Sequence, residues 1–430
     1  MTAAPETTSE TVMTSRGWGL IGFGVMAGGV GVGLANPILV YAGVTMVSAV
    51  VVAGLWMLLS INTFLRRFPY ARREVIPRPL TAGVPGKVIV SIQSGNAASA
   101  ARSRLRRTLT NSLDIREQAA SELTGGMGTK ATVARTETSL TLTYTLLPSR
   151  RGRWPLGPAL VHSSDPFGVL WADTSVGEAE HIPVWPPVVD LSAAAGALMG
   201  HADRVVIGAR TPSADDASLR DYREGDDLRR VHWPSSARRG TMLVRSDERA
   251  GRRPATVIMD LPRDPVALEW SITAAASIAL SVLDAGHPVR LLGAGLNPDA
   301  SRHVGEHGAE AGRSAILNQT VDLKSPVSIN AATAHLIHAA NQAAHDATHG
   351  EVIVGVFEPL ERDALDALVP LGDSGRAWAM VRTSDNVAQA ETAQETMRSL
   401  RRAGWRTATA STNGDLENIW ASMITAGDME

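Results

Sequence analysis

There is no cysteine in the chain, so disulfides, thiolate nucleophiles and cysteine-ligated zinc are excluded. The sequence also has no G-x-x-x-x-G-K-[ST] phosphate loop, no H-E-x-x-H zinc motif, no G-x-S-x-G elbow and no protein-kinase motif set. These absences leave no ready-made reaction centre. Neither sign of charge is in much excess: 41 Lys and Arg stand against 43 Asp and Glu, a formal net charge of −2. A protein held on nucleic acid by phosphate contacts carries a basic surplus, which is missing here. The most pointed absence is local, because residues 17–65 contain no charged side chain at all.

A charge-free run of that length is too long for the apolar core of a signal peptide. Asn36-Pro37 divides it, since proline and its predecessor disfavour helix. The expectation is a disordered tail over 1–15, then a transmembrane helical hairpin within 16–65 with spans at about 17–34 and 38–61, each near the roughly 20 residues a bilayer core requires. Gly24-xxx-Gly28 and Gly29-xxx-Gly33 are small-residue spacings of the kind that let helices approach closely. Trp18 and Trp56 lie near the span ends. Arg16 precedes the first span, while Arg66, Arg67, Arg72 and Arg73 follow the second. Positive-inside logic places both termini and the bulk of the chain in the cytoplasm.

The remaining length calls for more than one core, and a hydrophobic content of 44% supports folded domains. Over 74–190 apolar residues alternate, as in Val88, Val90 and Ile92 or Leu140, Leu142, Tyr144 and Leu146. Such alternation marks half-buried antiparallel strands and implies a β-sandwich-like domain. Asp165-Pro166-Phe167-Gly168 has the composition of a type I turn. From 254 to 430 the pattern becomes strand–helix alternation, beginning with the apolar run 255–261, a strand ending in Asp260. That alternation implies an α/β doubly wound sheet, in which ligands sit beyond the carboxyl ends of the strands, at Asp260 and Glu358. His335, His338, His345 and His349 fall on one side of a helix, opposite Leu336, Ala340 and Ala343, and read as a solvated polar face.

Between these domains, 191–253 is a linker followed by a segment rich in Arg, Asp and Trp. Residues 219–245 carry seven arginines and four acids, a mixture that suits internal ion pairs better than phosphate binding. The residues Leu219, Arg220, Tyr222, Gly225, Asp226, Arg229, Val231, Trp233, Ala237 and Arg238 resemble, at fixed spacing, the signature of the bacterial "domain of unknown function 58" family. Arg151-Gly152, the Asp-Pro-Phe-Gly turn and the strand ending in Asp260 fit the same family.

The resemblance implies a C-terminal von Willebrand factor type A-like domain and a membrane-anchored cytoplasmic adaptor or scaffold. It implies a MoxR-type AAA+ ATPase as partner, in chaperone-like assembly or maturation of complexes or envelope proteins. The signature is expected to act as a docking network, with Trp233 and Val231 buried beneath it. Metal-binding type A domains carry Asp-x-Ser-x-Ser after the first strand. Here the corresponding residues are Asp260, Pro262 and Asp264, with Glu358 as the distant carboxylate and Arg263 adding a cation. The expectation is a degenerate site that binds Mg²⁺ weakly or not at all, and no intrinsic catalysis. The competing readings are a metal-dependent hydrolase using Asp260, Asp264 and Glu358, and a peptide- or glycan-binding module in the β-sandwich.

Overall fold

The computed structural model describes residues 9–67, 70–93, 114–127, 130–135, 139–165, 167–192, 195–196, 198–199, 219–221, 233–245, 253–293, 296, 302–305, 308–346, 351–373, 376–383, 386–411 and 414–425. The chain forms two units, Met1–Trp185 and Pro186–Glu430.

The first unit opens with strand β1 (Ser9–Met13), which pairs antiparallel with β9 (Leu170–Val176). This corrects the expectation of a disordered tail over 9–13: Thr11 and Val12 find partners in Ala172 and Trp171, pairings between residues more than 150 positions apart that local composition does not reveal. Helix α1 (Ser15–Gly33) follows directly, capped by Thr14, whose hydroxyl accepts from the Gly17 N–H at 3.3 Å. Helix α2 (Pro37–Arg67) starts on proline, with Asn36 accepting from the Ile38 N–H at 3.0 Å. The helices are therefore longer at their domain ends than the spans 17–34 and 38–61.

Two helices among the described residues are long and apolar enough to cross a membrane: Pro37–Asn62, with mean hydropathy 2.3, and Pro265–Asp284, with 1.7. The second is 78% buried, as a core helix is. Helix α1, diluted by glycine and with Arg16 in its first turn, falls short of that apolarity, but it lies along α2 and shares its apolar exterior. Phe23, Val25, Leu34, Ile38, Tyr41 and Val51 all face outward.

After α2 come β2 (Tyr70–Ile76), β3 (Leu80–Thr81), β4 (Gly86–Gln93), β5 (Asp114–Ala119), β6 (Thr132–Arg135), β7 (Ser139–Leu146), β8 (Gly152–Ser164), β9 and β10 (Glu180–Trp185). They form a mixed six-stranded sheet and an antiparallel four-stranded sheet, β2-β4-β7-β6. One core serves both. Val88, Val90, Ile92, Leu142 and Leu146 from the smaller sheet are buried with Leu156, Val161, Ile182 and Val184 from the larger. The alternation in sequence is thus the alternation of core and solvent faces. Because β1 precedes the helical pair and β2 follows it, both ends of the hairpin return to this two-sheet domain. Arg73, placed by sequence among the flanking charges, instead lies inside that domain. Its Nε donates to Glu117 Oε1 at 2.5 Å, and both side chains are only 5% exposed. Burial, partly offset by Arg73, pushes the Glu117 carboxyl up.

In the second unit β11 (Leu219–Asp221) and β12 (Leu243–Arg245) pair antiparallel around helix α4 (Trp233–Arg239). Beyond them lies a five-stranded parallel sheet of β13 (Ala255–Met259), β14 (Val289–Gly293), β15 (Val352–Phe357), β16 (Ala377–Thr383) and β17 (Arg406–Ser411). The spatial order is β14-β13-β15-β16-β17. Every residue of β13 and β15 is buried, as both-face coverage demands. One face, including Ile258, Ile353, Ala379 and Val381, packs on α7 (Ile329–Asp346), α8 (Arg362–Gly372) and α9 (Val387–Arg402). The other carries α5 (Pro265–Asp284) and α10 (Leu416–Thr425). On α7, Leu336, Ala340 and Ala343 are buried while His335, His338 and His345 are exposed, the polar face read from sequence; His349 lies outside the described residues.

Candidate functional site

The strand order matters for where a ligand can sit. Numbered within the sheet it runs 2-1-3-4-5, so the chain reverses direction of travel between its first and third strands, β13 and β15. The helices leaving those strands go to opposite faces, and sheets of this kind hold ligands at such a switch point, beyond the carboxyl ends of the strands. Asp260 is the first residue past β13 and Glu358 the first past β15. The two carboxylates predicted from sequence are brought to this switch point.

Asp260 extends the sheet by one rung, its N–H donating to Val356 O at 3.0 Å. Its carboxyl is pushed up to about 6, first by burial and then by the negative charge of Glu358, against the lowering effect of the Leu261 and Glu358 backbone N–H groups. Glu358 is gripped by Arg382 from the end of β16. Nη2 donates to Oε2 at 2.7 Å and Nε donates to Oε1, a fork-on-fork arrangement. The hydrogen bond to Glu358, with the charges of Glu358 and Asp264 nearby, outweighs desolvation and raises Arg382. Asp264 has a different task. It is the N-cap of α5, its Oδ2 accepting from the Ala267 N–H at 2.8 Å, with Pro265 entering the first turn.

These residues do not fit a divalent cation. Both Glu358 oxygens are committed to a guanidinium, Asp264 serves a helix cap, and Pro262 brings no side-chain oxygen. Among the described residues no group of three or more His, Asp or Glu side chains is arranged to hold a metal ion. What the switch point presents is a half-buried acid beside a neutralised ion pair.

A pH-dependent stability follows from Asp260. Its folded value, about 6, lies above its ordinary 3.8. Folding therefore favours the protonated form, and the stability this lends at low pH is lost as pH rises from 3.8 through 6. At about 1.4 kcal/mol per unit the full loss reaches at most about 3 kcal/mol. Asp260→Asn is expected to be more stable than the parent at pH 8 by about 1–3 kcal/mol and equal to it near pH 4. Urea denaturation at the two pH values tests this; an offset independent of pH would refute it.

Of the signature residues, Arg220 lies in β11, and Trp233 and Arg238 lie in α4. Tyr222, Gly225, Asp226 and Arg229 lie outside the described residues, as does Val231. Trp233 is 64% exposed, so its expected burial beneath a docking network is corrected. It occupies the first position of a short helix, exposed there while Ser236 is buried.

Two constellations escaped the sequence. Arg382 is the missing partner of Glu358, and its only trace is a charge at the end of the apolar run Trp378–Val381. Arg290 and Glu351 form a second buried pair near the opposite, amino-terminal end of the sheet, where Nη2 meets Oε1 at 3.2 Å. Elsewhere a cavity of about 470 Å³ lies between α8 and α9, with Leu365, Val369 and Leu400 in its lining and Arg362, Asp366 and Arg402 among its polar groups.

No protein-family model matches the chain, and no curated protein matches it either. Among solved structures, one partial likeness is to an esterase from Pyrobaculum calidifontis in a monoclinic form. It is 12% identical, covers 56% of this chain and 94% of that one, and has a TM-score of 0.21. A likeness that low bears on neither fold nor chemistry. Fold and site together define a multi-domain chain: a helical pair, two facing sheets, and a parallel α/β domain with a carboxylate–arginine pair at its switch point.

Proposed function

We propose that this chain is a membrane-anchored adaptor or scaffold, with both termini and both folded units in the cytoplasm, that works with a MoxR-type AAA+ ATPase in chaperone-like assembly or maturation of complexes or envelope proteins. The observation that carries the anchor is the helical pair, whose outward side chains from Trp18 through Leu59 are uncharged and, apart from small polar ones such as Thr45 and Ser48, apolar. A soluble protein does not leave so large a continuous apolar surface uncovered. The return of both hairpin ends to one domain supports a double crossing, and Arg16 with the exposed Arg72 supports the cytoplasmic side. The partner rests on the family resemblance of the signature segment, with the C-terminal unit read as a von Willebrand factor type A-like module.

A role without catalysis of its own is supported by the carboxylates at the switch point. Glu358 is neutralised internally by Arg382 and Asp264 is committed to a helix cap, so neither is offered to Asp260 as a catalytic partner. The test is a pull-down of the tagged full chain from native membranes in mild detergent, with a non-hydrolysable ATP analogue present. Recovery of a AAA+ protein, lost when the analogue is omitted, is the expected result. Repeated recovery of the solubilised chain with no such ATPase would overturn the partner assignment.

A further inference from the structure

The Asp-Pro-Phe-Gly turn is structurally over-determined for a loop between two strands. Asp165 is buried, and its carboxylate accepts three backbone N–H groups: Phe167 to Oδ1 at 2.7 Å, and Val169 and Leu170 to Oδ2 at 2.7 and 2.6 Å. The turn so fixed is clamped to the root of the helical pair. Thr14 N–H donates to Val169 O at 2.9 Å, and the Thr14 hydroxyl donates to Gly168 O at 2.8 Å. Val169 is buried with Val50 and Ala53 of α2, and a Cβ on Gly17 would meet Val169 O at 2.8 Å. Yet the residue displayed by this rigid turn is Phe167, 57% exposed.

The level of the turn along the helices decides what Phe167 meets. From Ser15 to Gly33, α1 rises about 28 Å, close to the roughly 30 Å of a hydrocarbon core. The turn lies beside the first residues of α1, and so at one edge of that span. On α2 the outward apolar residues do not stop at Val50 and Ala53, where the turn is seated. Leu55, Leu58 and Leu59 continue outward, more than a helical turn farther toward the two-sheet domain. The turn is therefore flanked by apolar helix surface on both sides of its own level. Arg16 lies near Gly168, its Nη1 3.7 Å from where a Cβ there would stand, and Trp18 is exposed one step along α1.

We infer that the Asp165–Gly168 turn is a third membrane contact, besides the two helices: Phe167 enters the boundary between headgroups and acyl chains, with Trp18 beside it and Arg16 at the depth of the lipid phosphates. The two-sheet domain is thereby held against the bilayer rather than hanging from a linker. This rests on the membrane reading of the hairpin.

The absence of cysteine makes the test direct, because a single introduced thiol can be labelled without background. Three variants of the full chain, Phe167→Cys, Val25→Cys and Val84→Cys, are labelled with an environment-sensitive fluorophore and reconstituted in phosphatidylcholine–phosphatidylglycerol vesicles. Val25 is exposed in mid-α1 and Val84 is exposed on the two-sheet domain. The expected result is a blue-shifted label at position 25 quenched by deep spin-labelled lipid. The label at 167 is then blue-shifted and quenched best by shallow spin-labelled lipid, and the label at 84 emits as in water. A water-like, unquenched label at 167 with an embedded label at 25 would overturn the inference and leave the anchor intact. A water-like label at both positions would overturn the anchor itself.

Discussion

Replacing Arg290 by alanine is expected to destabilise the α/β unit by about 3–5 kcal/mol, read as a lower midpoint in urea. Arg290 stands near the amino-terminal end of the edge strand β14, yet is only 4% exposed. Each of its three guanidinium nitrogens donates: Nε to Thr256 Oγ1 at 2.6 Å, Nη1 to Asp346 Oδ2 at 3.0 Å and Nη2 to Glu351 Oε1 at 3.2 Å. Thr256 in turn donates to Glu351, and a His303 ring nitrogen lies 3.0 Å from the same oxygen. Burial alone would push Glu351 up. Hydrogen bonds from His303 and Thr256 and the charge of Arg290 outweigh it and hold the carboxyl below its ordinary value. Removing the arginine leaves a buried carboxylate whose Oε2 already lacks a hydrogen-bond partner.

The deficit carries a pH signature. In the parent, a depressed Glu351 lends stability above its ordinary value that is lost as pH falls through its folded value. Without Arg290 the burial penalty dominates, Glu351 takes up a proton more readily, and the deficit narrows toward acid pH. The pair Arg290→Met with Glu351→Leu is expected to recover much of the loss, because breaking a buried ion pair costs more than replacing it with apolar volume. A double variant no more stable than Arg290→Ala would sink the account.

How much of this was legible in the sequence depends on the range of the interaction. Periodicity reveals which side of each strand and helix is buried, because that depends on neighbours two or four positions away. Hence the alternation at Leu140–Leu146 and the buried run Ala255–Met259 were readable, and with them the switch-point carboxylates. Pairings across the chain leave no such trace. β1 joins β9 across the intervening hairpin, Arg73 finds Glu117, and Arg382 finds Glu358, each through tertiary geometry alone. Trp233 was misread for the opposite reason. A large aromatic within a charged segment was assigned to a core, but it stands exposed at the first position of a short helix while Ser236 is buried. Arg290 did leave a signal, a charge between Val289 and Leu291 in an otherwise apolar strand, which requires a buried partner somewhere.

Substituting Gly43 by leucine is expected to separate the helical pair and lower its thermal midpoint in detergent micelles by the largest margin of any glycine there. A Cβ on Gly43 would collide with the Gly24 carbonyl and stand 2.6 Å from the Gly28 nitrogen, both backbone atoms that cannot turn aside. Overpacking of this kind costs about 1–3 kcal/mol where side chains can give, and a backbone clash sits at or beyond that upper end. The seam also explains which glycines matter. On α1 the buried ones are Gly17, Gly24 and Gly31, in steps of seven. A seven-residue seam is the geometry of a left-handed pair, in which each glycine admits a knob from the neighbour: Val47 at Gly24, and Leu39 and Val40 at Gly31. Of the four-residue spacings, Gly24-xxx-Gly28 brackets Gly43, whereas Gly29-xxx-Gly33 lies off the seam. A Cβ on Gly29 or Gly33 would meet open space, so Gly29→Leu and Gly33→Leu are expected to leave the midpoint unchanged and simply enlarge the apolar exterior. Equal losses at positions 29, 33 and 43 would mean that helix propensity rather than the seam sets the response, and would refute this packing. A loss confined to position 43 would fix α2 against Gly24 and Gly28, the mid-span contact of the helical pair.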